Sequence, residues 1–247
     1  MDFALTPEQL QMRDMYREFC KRNITPEYVG WLDEATTFLP QDMYDKLAEL
    51  GTMGICIPQE YGGMGLGHVD YCVIFEELVT AGLSVGFCAG IAEVFGGRPI
   101  LAMGTERQKR EHLPRIAAGK EKWALAMTEA SGGTDILGAI RTTAVRKGDH
   151  YVVDGSKMWI SGAHVADYLT TLVITDKAVE RKKGLSVLII DAKSPGVTIR
   201  PIHKLGVHGC GVNEIHFDEV KVPVENLLGE ENKGWYALLK VLNPERI

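Results

Sequence analysis

The feature that most constrains the fold of this chain is a change in its hydrophobic period after Lys122. Before this residue, apolar side chains recur at helical spacing, so that Met12, Tyr16 and Phe19 fall on one helical face. After it, short apolar runs alternate with polar residues, as is typical of strands. The pattern predicts an α+β chain: an N-terminal helical domain, then an antiparallel β-barrel or sandwich, then the start of a C-terminal helix.

Two capping boxes mark helix starts in the first half. In Thr6-Pro-Glu-Gln9 the threonine hydroxyl caps the first turn and the glutamine reaches back to it, while Pro7 suits the first helical position. Thr105-Glu-Arg-Gln108 repeats the pattern. Three further helices are predicted, over residues 41–50, 70–81 and 84–103.

Turn signals separate seven predicted strands in the second half. The strands cover residues 123–128, 140–147, 150–159, 168–175, 185–191, 197–203 and 213–221. We therefore expect a helical domain over 1–121, a β domain over 122–228 and the start of another helical domain over 229–247. The last helical run carries no stop signal, so we expect the natural chain to continue past Ile247.

Composition narrows the functional classes. A net charge of −6 argues against a general nucleic-acid binder. Five scattered cysteines without a C-x-x-C pair favour a reduced, cytoplasmic location. The N-terminus has no signal-peptide pattern, and the most apolar run, 81–92, falls short of a membrane span. The seven histidines show no metal-binding spacing, so no metal site is predicted.

Two stretches pair an apolar strand with small and hydroxyl-bearing residues. The first is Trp123 to Asp135, with Gly132 and Gly133 near its end, and the second is Gly155-Ser-Lys-Met-Trp-Ile-Ser-Gly162. Together they predict one wall of a cofactor site. The glycine-rich run 57–67 matches neither common phosphate-binding spacing, which favours a structural connection there.

In order and spacing, these and other motifs resemble the acyl-CoA dehydrogenase family, and the resemblance covers essentially all 247 residues. The matching runs are Ile57-Pro-Gln-Glu-Tyr-Gly-Gly-Met-Gly, Gly104-Thr-Glu-Arg-Gln-Lys, Ala126-Met-Thr-Glu-Ala-Ser-Gly-Gly-Thr-Asp, Asp154-Gly-Ser-Lys-Met-Trp-Ile-Ser-Gly, Lys204-Leu-Gly-Val and Phe217-Asp-Glu-Val-Lys-Val-Pro. The resemblance implies an FAD enzyme that oxidises an acyl-CoA thioester to the trans-2-enoyl-CoA. Removal of the α-proton by a carboxylate accompanies hydride transfer from the β-carbon to the flavin N5.

The resemblance also implies partners. Electrons would pass to an electron-transfer flavoprotein, and the full-length enzyme would form a homotetramer or dimer. The family's C-terminal helical bundle is not matched here, so we expect the 247 residues alone to bind FAD weakly and to turn over poorly. Two alternatives stay open: a flavin monooxygenase or acyl-CoA oxidase on the same scaffold, and a half-length, non-catalytic subunit that needs a partner chain.

Individual roles follow from the matched motifs. Residues that match the flavin contacts are Leu125, Ala126, Met127, Thr128, Thr134, Trp159, Ile160 and Ser161. Thr134 also matches a position near the CoA moiety, whereas Glu129 and Asp135 are expected to fix the loop geometry. Ser131 stands where the family has glycine, so it would either crowd or hydrogen-bond to a phosphate.

The catalytic base is the least determined role. Glu245 matches the position of the base in the isovaleryl and long-chain branches, and Arg246 matches an arginine near the substrate. Both therefore stand as candidate substrate-binding residues, with Glu245 as candidate base. The alternative is that Glu245 is an ordinary exposed carboxylate near a helix start, where negative charge suits the helix dipole.

Overall fold

The computed structural model describes residues 4–35 and 37–245, except the side chains of residues 244 and 245. Its helices are α1 (Pro7–Asn23), α2 (Pro26–Ala35), α3 (Gln41–Glu49), α4 (His68–Ala81), α5 (Leu83–Ala92), α6 (Arg98–Met103), α7 (Glu106–Ala117), α8 (Ile136–Ala139) and α9 (Gly234–Glu245). Its strands are β1 (Trp123–Ala126), β2 (Thr143–Lys147), β3 (His150–Ser161), β4 (Tyr168–Ile174), β5 (Leu185–Asp191), β6 (Val197–Ile202), β7 (Val212–Pro223) and β8 (Leu227–Leu228). The α+β prediction, with helices first and a sheet second, is confirmed.

The eight strands form one sheet in the order β6-β7-β3-β2-β4-β5-β8, and β1 pairs with β4 outside this path. The long strands β3 and β7 run antiparallel from the pair His150–Pro223 to the pair Ser161–Val212. The sheet is mixed rather than purely antiparallel, because β1 lies parallel to β4 and a single bridge joins β2 to β4 in parallel. Parallel pairing requires a long connection, and the chain between β1 and β4 supplies one of about forty residues.

Local signals account for most helix starts. The Thr6 hydroxyl accepts from the Gln9 amide at 3.2 Å, and the Gln9 side chain accepts from the Thr6 amide at 3.0 Å. Thr105 and Gln108 form the same reciprocal pair. Helix α2 was not predicted: it is short, contains Gly30 and buries only Leu32, so its apolar stripe is weak.

Helices α5 and α6 join through a π-helical turn, Glu93–Gly97, into one continuous helix over Leu83–Met103. By length and composition this helix is apolar enough to cross a bilayer, so the expectation that no run approaches that length does not hold. Its most apolar window is 72% buried inside the fold, as in the core helix of a globular protein. The run is hard to see in sequence because Glu93 and Arg98 interrupt it, and both side chains are buried.

The same helix packs against the sheet at Trp123, the first residue of β1. Gly96 lies against the indole, where an added Cβ would come within 2.4 Å of Trp123 Cγ. The indole Nε1 donates to the buried Glu121 carboxylate at 3.1 Å, and that carboxylate also accepts from Arg115 of α7 at 2.6 Å. Strand β1 is therefore fixed at its start by packing and by charge-assisted hydrogen bonds.

We predict that Gly96→Ala lowers the free energy of unfolding by about 2 kcal/mol, because the new methyl group overpacks the contact with Trp123. The matched control is Gly30→Ala in α2, where no heavy atom lies within 4 Å of the added Cβ. Alanine there should stabilise the helix by about 0.5–1 kcal/mol. Urea denaturation of both variants measures the difference, and equal midpoints would contradict the close packing at Gly96.

Candidate functional site

Residues 125–128 and 159–161, together called the wall below, lie side by side. Met158 of β3 donates its amide to the Thr128 carbonyl at 2.9 Å, which joins the two stretches just past the end of β1. Among the described residues β1 pairs only with β4, so no strand pairs with its other edge. The predicted wall is thus one continuous surface of the structure.

Trp159 has the most unusual conformation in the wall. Its φ is +64°, in the left-handed region that a bulky residue rarely adopts, and the β3–β7 register shifts between Lys157 and Ile160. The bulge turns the indole outwards, where 59% of Trp159 is exposed. Strain of this kind persists where the surrounding structure holds it, and it clusters at ligand sites.

A buried ion pair lies under the wall. Lys157 is 1% exposed and Glu129 is 6% exposed, and the Lys157 Nζ lies 2.9 Å from Glu129 Oε1. The same ammonium donates to the Met127 carbonyl at 3.2 Å. Lys157 therefore ties β3 to the segment that follows β1. Nothing in the local sequence singled out this lysine, because its partner lies 28 residues earlier in the chain.

Glu129 also holds the loop that returns to β2. Its Oε1 accepts from the Thr142 amide at 3.0 Å and from the Thr142 hydroxyl at 2.7 Å, and its Oε2 accepts from the Arg141 amide at 2.7 Å. Burial by itself would raise the pKa of Glu129, but Lys157 and these hydrogen bonds bring the pKa below its ordinary value. Burial lowers the pKa of Lys157 to about 8, against the opposing pull of Glu129.

The loop between Glu129 and α8 has its own supports. Asp135 accepts from the Gly138 amide at 2.9 Å and so caps α8, which agrees with the expectation that Glu129 and Asp135 fix the loop geometry. Ser131 donates to the Ala139 carbonyl at 2.8 Å, so its hydroxyl is engaged within the protein. Thr134 is exposed on this loop.

Two cavities share lining residues of α5, and one of them reaches the wall. One, of about 370 Å³, is lined by Ser161 of the wall, by Leu83 and Phe87 of α5, and by the 204–212 segment. The other, of about 320 Å³, shares Leu83 and Phe87 and continues between α4 and α5. It is strongly apolar, and its remaining lining residues are Tyr71, Phe75, Val79, Gly86, Gly90, Ile91, Val94 and Phe95. Cavities of this size and character are typical small-molecule sites.

The predicted base and its neighbour cannot be placed in this site. Glu245 ends α9, but its side chain lies outside the described residues, as does Arg246 entirely. Among the described residues, no group of three or more His, Cys, Asp or Glu side chains could hold a metal ion. The described site therefore consists of the wall, the ion pair beneath it and the two cavities.

We predict that Glu129→Gln lowers the free energy of unfolding by about 3–5 kcal/mol at pH 7, because Lys157 loses its buried counter-ion. The folded-state pKa of Glu129 lies below the ordinary value of 4.5, so the native chain should lose this contribution as pH falls from 4.5 through the folded-state pKa. The variant should lack that part of the acid dependence. Urea denaturation from pH 7 to pH 3 measures both effects.

Glu180→Gln is the matched control, since Glu180 is an exposed carboxylate that pairs with Lys182 and Lys183. Exposed pairs contribute little, so this change should leave the midpoint at pH 7 unaltered. If both variants behave alike, the Glu129–Lys157 pair does not support the wall.

Two family models match the chain. "Acyl-CoA dehydrogenase, N-terminal domain" matches residues 6–120, and "Acyl-CoA dehydrogenase, middle domain" matches residues 124–220. The probable acyl-CoA dehydrogenase YngJ of Bacillus subtilis is 38% identical over the whole chain. The caffeyl-CoA reductase-Etf complex subunit CarC of Acetobacterium woodii is 37% identical over 97% of the chain.

A solved structure, a glutaryl-CoA dehydrogenase from Mycobacterium smegmatis in complex with FADH2, superposes with a TM-score of 0.88 at 30% identity, over 98% of this chain and 60% of its own. The chain spans less than two thirds of these relatives, 64% of YngJ and 63% of CarC. Both halves of the fold, helical and sheet, are nevertheless matched in order. The chain belongs to the acyl-CoA dehydrogenase family.

Proposed function

We propose that this chain binds FAD on the wall and takes part in the oxidation of an acyl-CoA thioester to the 2-enoyl-CoA. The observation that carries the proposal is Trp159: a strand residue held in a left-handed conformation with its indole exposed, beside the open edge of β1. An exposed aromatic face next to a strand edge that pairs with no other strand of the described residues suits a flat heteroaromatic ring. The family membership and the FADH2 complex of the M. smegmatis relative support the same cofactor.

Each wall residue is proposed to make a different contact with the cofactor. Trp159 offers a ring face, while the backbone of Leu125, Ala126 and Met127 and the hydroxyls of Thr128 and Ser161 offer hydrogen bonds to ring edges. Ile160 packs beneath them, since it is buried in the sheet. Thr134, exposed on the neighbouring loop, is proposed to contact the pyrophosphate of FAD and the CoA moiety. Bound FAD would supply the two-electron acceptor for the β-hydride.

The apolar cavity between α4 and α5 is proposed to hold the acyl chain. It shares the lining residues Leu83 and Phe87 with the Ser161 cavity, and this shared lining supports a path for the tail from the wall to the space between the helices. Burial of that tail removes apolar surface from water, which both binds it and fixes its orientation against the wall. Because the lining is made of aromatic, aliphatic and glycine residues, we expect the acyl chain to be apolar.

The proton half of the reaction is assigned to Glu245. Abstraction of an α-proton from a thioester needs a positioned carboxylate, and Glu245, the last residue of α9, matches the family's base position in sequence. Arg246 is proposed to lie near the substrate beside it. An electron-transfer flavoprotein is the proposed acceptor, as the name of the CarC relative includes an Etf complex.

The proposal is tested by titrating the 247-residue chain with FAD and then adding acyl-CoA without oxygen. Bound flavin should lose its visible absorbance as the 2-enoyl-CoA forms. Subsequent reduction of an electron-transfer flavoprotein supports the dehydrogenase, whereas consumption of oxygen at the same rate would favour an oxidase. A dissociation constant for FAD above about 1 mM, equivalent to less than about 4 kcal/mol of binding, would overturn the proposed cofactor site.

We predict that Trp159→Leu weakens FAD binding at least about tenfold, the equivalent of about 1.4 kcal/mol from a lost stacking contact. The fold should survive, since the indole is largely exposed. Trp31→Leu in α2 is the matched control because Trp31 is a second exposed tryptophan, 47% exposed, far from the wall in sequence. Quenching of FAD fluorescence measures the affinity, and equal affinities for both variants would exclude Trp159 from the flavin site.

We also predict that Gly90→Val shortens the acyl cavity. An added Cβ at Gly90 would lie 2.7 Å from the Tyr71 hydroxyl and 2.9 Å from the Phe75 ring, so valine pushes these rings into the cavity. Octanoyl-CoA should lose about fourfold in affinity for each methylene no longer buried, while butanoyl-CoA changes less. Calorimetry of both thioesters, with Gly30→Val as control, measures this; an unchanged affinity ratio would place the acyl chain elsewhere.

A further inference from the structure

The bulge that presents Trp159 is supported from behind by a buried amide on the neighbouring strand. Asn213 of β7 is paired with Ile160 of β3 and is 0% exposed. Its Nδ2 lies 3.0 Å from the Ile160 carbonyl. A carbonyl only accepts, so the amide nitrogen must face Ile160 and donate to it. This bond lies directly beside the residue with the left-handed backbone.

The same amide nitrogen faces His164. The distance from Asn213 Nδ2 to His164 Nδ1 is 3.2 Å, and His164 Nε2 lies 3.1 Å from the Thr37 hydroxyl. Because Nδ2 is a donor, Nδ1 must accept, so the ring is neutral and its proton is on Nε2, which donates to Thr37. Burial lowers the pKa of His164, in agreement with a neutral ring.

These contacts form a directed chain from the surface to the bulge: Thr37 accepts from His164, which accepts from Asn213, which donates to Ile160. A backbone hydrogen bond lies close to this chain of side-chain contacts: the amide of Gly162 donates to the Gly211 carbonyl at 2.8 Å. Gly162 follows the wall and itself has a positive φ of 69°. Two left-handed backbone positions, the strained Trp159 and the unstrained Gly162, therefore flank the Ile160–Ser161 dipeptide and share one set of supports.

The arrangement leaves a polar atom unsatisfied. Asn213 Oδ1 is buried and has no hydrogen-bond partner among the described residues. An orphaned buried acceptor opposes folding, and an apolar side chain of similar shape would avoid it. If residue 213 only filled space, an apolar side chain would serve as well. The amide is needed because it donates to a carbonyl in the bulge.

We propose that Asn213, oriented by His164, is a positioning residue that holds the 158–161 bulge in the conformation that receives the flavin. Asn213 acts through Ile160 and Trp159 and does not itself touch the cofactor. The inference rests on the proposed function for its link to FAD, but the clamp on the bulge stands on the contacts alone.

Removal of the donor tests the clamp. In Asn213→Leu, amide hydrogen exchange over residues 158–162 of the FAD-free chain should speed up at least about tenfold, the factor expected for one lost hydrogen bond. Exchange in β5 should stay unchanged. The matched control is Asn226→Leu, since Asn226 also donates to a strand carbonyl, that of Ile189 at 3.1 Å, on another part of the sheet.

FAD affinity supplies the second measurement. Asn213→Leu should bind FAD about tenfold more weakly than the native chain, His164→Leu should lie between them, and Asn226→Leu should match the native chain. If Asn213→Leu does not fold, Asn213→Asp keeps the shape but not the donor and should move both measurements in the same direction. A positive result therefore requires faster exchange at the bulge together with weaker FAD binding.

The negative results are distinct. Unchanged exchange over 158–162 would overturn the clamp, and faster exchange with unchanged FAD affinity would overturn its positioning role. Failure of the native chain to bind FAD would instead defeat the proposed function and, with it, the link between the clamp and the cofactor, while the exchange data would still decide whether Asn213 holds the bulge.

Discussion

The ion pair between Lys157 and Glu129 is the interaction on which the rest of the site depends. It joins the two stretches that form the wall, and each partner has additional bonds, Glu129 to the backbone of Arg141 and Thr142, Lys157 to the carbonyl of Met127. Burial of two charges costs several kcal/mol per ion in general, and only close geometry and further hydrogen bonds offset that cost. Hydrophobic residues of similar volume would often stabilise the chain as well or better. What the pair adds is a fixed position of β3 relative to the segment that follows β1.

This fixed position determines where the bulge presents Trp159. The contact of Met158 with Thr128 and that of Lys157 with Met127 hold β3 just before the bulge, so Trp159 cannot shift along the strand. Asn213 fixes it just after, at Ile160. The left-handed backbone at Trp159 is therefore determined from both sides, which is the condition under which a strained conformation persists. An exposed indole held in this way is already oriented before any ligand binds, so less conformational freedom is lost on binding.

Local signals made much of this fold predictable from the sequence. The capping boxes at Thr6 and Thr105 and the seven predicted strands follow from short-range patterns, and the structure has all of them. The parallel position of β1 and the short strand β8 were not predicted, because strand pairing depends on residues far apart in the chain. Helix α2 was not predicted, because its apolar stripe is too weak to give a clear helical period. Within the site, the wall was found through its motifs, whereas Lys157 and Asn213 were missed. Each is a polar residue in a strand, where exposure is the default expectation, and each is buried only because of a partner far away in the chain.

The long helix over Leu83–Met103 shows how one element can serve the core and the site together. Its glycines let it lie against its neighbours, Gly96 against Trp123 of β1 and Gly90 against Tyr71 and Phe75 of α4. Between these contacts the π-helical turn begins at the buried Glu93, which accepts from the Cys56 amide at 3.1 Å and so faces the protein interior rather than the apolar cavity. Arg98, farther along the same helix, lies over the Tyr71 ring, 4.5 Å from its centroid, so a buried charge borders the apolar cavity at Tyr71. Because Gly96 packs the helix against the strand that starts the wall, a change that moves this helix would also move the proposed acyl cavity relative to Trp159.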